Sequence, residues 1–65
     1  MEIKSFCKDN FMLTLDRTTA YYSVHLYRGT NILVNKFFDN GLAATKFFED
    51  IQRKVLTGDT KEWLA

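Results

Sequence analysis

The sequence contains no proline, one cysteine, one histidine and three glycines. Each shortage removes a class of protein. A single cysteine, Cys7, forbids an intrachain disulfide, which argues against a secreted disulfide scaffold and favours a reducing, cytoplasmic setting. Cys7 and His25 are the only thiol and imidazole ligands, whereas a closed structural zinc site takes about four, so no metal is expected. Gly29, Gly41 and Gly58 fall at element boundaries and leave no glycine-rich loop to cradle a phosphate. The patterns G-x-x-x-x-G-K-[ST], G-x-G-x-x-G, G-x-S-x-G and H-E-x-x-H are absent. No apolar run approaches the ~18–20 residues that cross a bilayer, and the opening MEIKSFCKDNF lacks the apolar stretch of a signal peptide. A soluble protein without membrane contact is expected. Nine Lys and Arg against eight Asp and Glu leave a net charge of +1, not the strong basic excess of a dedicated duplex-DNA binder.

What the chain does have is aromatic bulk: six Phe, three Tyr and one Trp. With 65 residues it holds one domain, 1–65, near the lower size limit for a self-supporting core. Without disulfide or metal, aromatic packing is the remaining source of stability.

Turn signals divide the chain. Lys8–Asn10 separates a first strand, about 2–7, from a second, about 11–16, in which Phe11, Leu13 and Leu15 alternate with Met12, Thr14 and Asp16. Asp16–Thr19 leads into a third strand, about 20–28, and Arg28–Asn31 into a fourth, about 32–38. The period then changes. Asp39 or Asn40 can cap a helix over about 40–57, whose apolar stripe is Ala44, Phe47, Phe48, Ile51 and Val55. Lys46, Glu49, Asp50, Arg53 and Lys54 take its other side, with Glu49–Arg53 and Asp50–Lys54 at i,i+4 spacing. Gly58 is its stop signal, and Asp59 with Glu62 predicts a short turn of helix over 60–64 that folds Trp63 and Leu64 back onto the core. The expected fold is α+β: a two-layer ββββα arrangement, an antiparallel meander covered on one face by a single C-terminal helix.

The stretch AYYSVHLYRG, 20–29, puts Val24 and Leu26 on one side and Tyr21, His25 and Tyr27 on the other. A two-residue loop at Gly29-Thr30 would pair Tyr27 with Ile32 and Leu26 with Leu33, mixing polar and apolar positions on each face. A three-residue loop, Arg28–Thr30, gathers Val24, Leu26, Ile32 and Val34 under the helix and leaves Tyr21, His25 and Tyr27 beside Leu33, Asn35 and Phe37. The three-residue loop is the expectation, because it gives the cleaner core.

A Cys7–His25 nucleophilic pair would require side chains to meet across an intervening strand. Cys7 reads instead as a buried, inert thiol and His25 as a sheet-face residue. Asp9, Asp39 and Asp59 are accounted for by turns and caps. The expectation is therefore a protein that is not an enzyme and carries no cofactor.

One helix covers only one face of such a sheet. The other exposes an apolar patch larger than scattered residues explain, and such a patch needs a cover. The expected contacts are Met12, Tyr21, His25, Tyr27 and Leu33, with Arg17, Arg28 and Lys36 on the rim. The expected function is a small regulator or inhibitor, a class common among phage and mobile-element proteins, binding a protein partner or forming a homodimer. The alternative is single-stranded nucleic-acid binding, with bases stacked on sheet aromatics and flanking Arg and Lys on the phosphates. Four strands followed by a helix is similar to the layout of some single-stranded-DNA-binding domains, a resemblance of layout with no motif residue behind it.

Overall fold

The computed structural model describes residues 1–64. Four strands, β1 (Glu2–Lys8), β2 (Phe11–Arg17), β3 (Tyr22–Arg28) and β4 (Asn31–Phe38), precede a long helix, α1 (Gly41–Thr57), and one short turn of helix, α2 (Lys61–Leu64). The strands form one antiparallel sheet in the order β1-β2-β3-β4, and the helix packs across one face.

The turns follow from their residues. Asp9 (φ 51°) and Asn10 (φ 68°) both take the left-handed region, the signature of a two-residue type I′ hairpin loop. Gly29 (φ 60°) takes it alone in the third hairpin, which makes Gly29-Thr30 a type II′ loop. Between β2 and β3, the Thr18 hydroxyl accepts from the N–H groups of Ala20 (3.2 Å) and Tyr21 (3.1 Å) and donates to the Tyr21 carbonyl (3.1 Å).

The third hairpin corrects the expected loop. Arg28 pairs with Asn31 and Tyr27 with Ile32, so the loop holds two residues, not three. One step later the register shifts and Leu26 pairs with Val34, leaving Leu33 as the extra residue of a bulge. The bulge changes the parity of β4. Val24 and Leu26 share the helix side with Val34 as the pattern predicts, but Ile32 is carried to the opposite face. Leu33, expected on that opposite face, packs against the core.

The core lies between sheet and helix. Phe11, Leu13 and Leu15 of β2 and Val24 and Leu26 of β3 meet Ala44, Phe48, Ile51 and Val55 of α1, all buried. Burying each larger side chain contributes roughly 1.5–3 kcal/mol. Phe47 is half-buried, its ring 5.3 Å from that of Phe38 at the end of β4. Asn40 is the N-cap, its side chain accepting from the N–H groups of Leu42 (2.8 Å) and Ala43 (3.1 Å). At the other end Gly58 (φ 80°) closes the helix, with the Gly58 and Asp59 N–H groups on the Val55 and Lys54 carbonyls.

The charge pairs differ from the i,i+4 pattern. Arg53 bonds to Asp50 one turn back, and Lys54 reaches Glu62 of α2 at 2.8 Å. Asp59 makes no side-chain hydrogen bond to α2; its N–H ends α1 on the Lys54 carbonyl, and the Trp63 N–H bonds to the Thr60 carbonyl at 3.1 Å. The Lys54–Glu62 hydrogen bond raises the Lys54 ammonium above the usual lysine value of 10.5. It also tethers α2, and Trp63 packs on the core with the Lys54 ammonium 5.8 Å from its ring. Leu64 is exposed.

Candidate partner-binding face

The sheet face away from α1 is assembled in cross-strand rows. Glu2, Asp16, Ser23 and Phe37 form one; Ser5, Thr14, His25 and Asn35 the next; Cys7, Met12, Tyr27 and Ile32 the last. Thr14 and Ser23 are only 7% and 4% exposed although no helix covers them, because larger neighbours flank them on the central strands. Around this small polar centre stand large side chains left open to solvent: Met12 (43%), Tyr21 (41%), Ile32 (59%) and Phe37 (55%).

Their arrangement is ordered by local structure. The Thr18 hydroxyl fixes Tyr21 at the start of β3, where its ring meets the Phe37 ring edge-on at 5.1 Å. His25 lies between Phe37 (6.3 Å, edge-on) and Tyr27 (6.0 Å, stacked). Its Nδ1 stands 3.9 Å from an Asp16 carboxylate oxygen, too long for a hydrogen bond and short enough to feel the charge. Tyr21, His25, Tyr27 and Phe37 are thus one continuous aromatic cluster along β3 and β4, with Met12 beside Tyr27 on β2.

Four of the eight residues expected to line a site, Met12, Tyr21, His25 and Tyr27, are brought together here. The other four are not. Leu33 turns to the core at the bulge. Arg17, Arg28 and Lys36 pair with Tyr22, Phe11 and Val24, residues of the helix side. Their cationic groups lie over rings of that side: Arg17 over Tyr22 (5.7 Å), Arg28 over Phe11 (5.6 Å), Lys36 over Phe47 (4.9 Å) and Phe38 (5.5 Å). Ile32, expected under the helix, is a residue of the open face. The signal was the glycine at the first loop position, which favours the two-residue turn and so sets Ile32 opposite Tyr27.

Cys7 is exposed, not buried, because β1 is an edge strand and position 7 points away from the helix. His25 lies two strands from it, in another row, so the two do not meet. Two surface hollows, one at the first hairpin turn beside Cys7 and Gly29 and one at Met1 and Arg17–Thr19, are shallow and gather no catalytic set. Among the described residues no group of three or more His, Cys, Asp or Glu is placed to hold a metal, and no helix is long and apolar enough to cross a membrane. No family model, no curated protein and no solved structure matches this chain.

Proposed function

We propose that this chain is a small binding module without catalytic activity, which holds a protein partner against the open face of its sheet. The carrying observation is the asymmetry of the two faces. Leu13, Leu15, Val24 and Leu26 are at most 1% exposed, while Met12, Tyr21, Ile32 and Phe37 are all above 40%, Tyr21 against Phe37 and Met12 and Ile32 on either side of Tyr27. Covering four half-exposed side chains of this size is worth roughly 3–6 kcal/mol, enough to offset a good part of the cost of association. Aromatic and methionine side chains are enriched at such contacts, being large with few rotamers to fix. A module of this kind acts by occupying its partner, as a regulator or an inhibitor does.

Single-stranded nucleic acid receives less support. Stacked bases need cations nearby for the phosphates, and Arg17, Arg28 and Lys36 lie on the other side of the sheet.

The test uses an Ile32→Asp/Phe37→Asp double variant, whose fold is checked by circular dichroism. Wild-type protein, immobilised in nuclease-treated lysate of its own source, should retain a protein that the double variant does not. Retention of the same proteins by both sinks the proposal. Light scattering separates the self-pairing case, in which the wild type has twice the mass of the variant.

A further inference from the structure

We infer that the open face selects partner segments in which Lys or Arg side chains flank apolar ones. The inference rests on the reading of that face as a protein-binding surface, and it names the partner's chemistry.

It follows from how charge divides between the two sides of the sheet. The strands carry five Lys and Arg residues: Lys4, Lys8, Arg17, Arg28 and Lys36. Their strand partners are Leu15, Phe11, Tyr22, Phe11 and Val24, so the register sends all five to the helix side. Side-chain positions agree. Lys4 lies 5.1 Å from the Phe48 ring of α1, Arg17, Arg28 and Lys36 lie over Tyr22, Phe11 and Phe47, and Lys8 is paired with Asp9 at 3.3 Å. The ring contacts keep four of the cations on that side, and Lys8 is assigned to it by its register.

The open face receives the opposite charge. Asp16 sits on it beside His25, and Glu2 is the cross-strand partner of Asp16. Two carboxylates directly opposite one another in adjacent strands repel. The nearby Met1 ammonium is engaged by the Arg17 carbonyl at 2.8 Å. A partner's cation placed at this end would relieve the repulsion while its apolar side chains covered Phe37, Tyr21 and Ile32. An acidic segment or a phosphate backbone would add to the repulsion, so the charge acts chiefly to select. A second copy docking by the same face brings carboxylates and no Lys or Arg, which makes it a poor complement.

The experiment selects a displayed library of random peptides against the immobilised full chain. Enriched peptides are then titrated against wild type, the Ile32→Asp/Phe37→Asp variant and a Glu2→Gln/Asp16→Asn variant. The expected peptides carry several Lys or Arg per Asp or Glu. They lose all binding to the first variant. They weaken about tenfold on the second, or when salt rises from about 50 to about 300 mM. Enriched peptides that are neutral or acidic, or indifferent to the Glu2→Gln/Asp16→Asn change, overturn the charge inference and leave the binding face standing. Peptides held equally by the Ile32→Asp/Phe37→Asp variant, or no enrichment, overturn both. Binding of oligo-dT that the same variant abolishes also overturns the inference, since the face would then accept an anion.

Discussion

The ring tip of Tyr22 lies so close to Gly41 that a β-carbon at position 41 would stand 2.9 Å from its Cζ and 3.0 Å from its hydroxyl oxygen. The first residue of β3 thus sets the residue type at the first position of α1. Tyr22 has little freedom to move, since it packs on the core with Arg17 5.7 Å above its ring. Alanine ordinarily gains up to about 1 kcal/mol over glycine inside a helix, but the overlap with the ring outweighs that gain. Gly41→Ala should therefore lower stability by about 1 kcal/mol net, and in a Tyr22→Ala background it should become neutral or stabilising. Urea denaturation of the four proteins checks this; strict additivity would exclude the contact as the cause.

The cations at the seam contribute to folding rather than to the open face. Arg17→Ala and Arg28→Ala should each cost about 0.5–1 kcal/mol, the usual worth of an exposed cation over a ring. Neither should weaken a ligand held by Ile32 and Phe37. A loss of binding without a loss of stability would return these arginines to the interface.

Leu33 is the one residue that can be removed from β4 without altering the pairing. Deleting it leaves Ile32 opposite Tyr27 and makes Val34 the next residue, opposite Leu26, as both already are. The shortened chain should fold to the same sheet and lose about 1–2 kcal/mol, the share of one half-buried leucine. Deleting Thr14 from β2, which has no bulge opposite β3, should instead unfold the protein, because every side chain beyond it would change faces. Amide NMR spectra and denaturation curves of the two deletions distinguish these outcomes.

The Lys54–Glu62 tether gives α2 a pH-dependent hold. The hydrogen bond to Glu62 raises the lysine above its usual 10.5, so the contribution is complete below that value and is lost as pH rises through the folded-state value. Glu62→Gln should therefore separate from wild type in stability at neutral pH and converge with it in strongly alkaline solution. The fluorescence of Trp63, the single tryptophan, follows the transition in both proteins. A difference that persists with Lys54 deprotonated would assign the effect to something other than this pair.

Much of this architecture is written in local patterns. Alternation in β2 and β3 and the stripe from Ala44 to Val55 identify the strands, the helix and the buried side of each. Asn40 and Gly58 announce the ends of the helix. The bulge is not legible, because Leu33 and Val34 are both apolar and either satisfies the core; what decides is the type II′ turn at Gly29 meeting the parity that Val24 and Leu26 impose. The same ambiguity hid Ile32. The direction of Arg17, Arg28 and Lys36 was legible in principle, since each shares the alternation of a core residue on its own strand. Long flexible cations look like rim residues from either side until their aromatic contacts are seen. The exposure of Cys7 depends on β1 being an edge, which no residue of β1 declares.

Each strand of the sheet pairs with its neighbour in sequence, and two of the three hairpins close through two residues. Loop closure is therefore inexpensive at every step but one, the return of α1 across β2 and β3. A sheet of sequence-adjacent pairings with one helix docked on it belongs to the middle of the two-state range, with refolding in roughly milliseconds. With no proline in the sequence, nothing supplies the tens-of-seconds isomerisation phase that delays many domains. The docking of one helix then sets the pace, and refolding should follow a single exponential that slows when Phe48 is truncated.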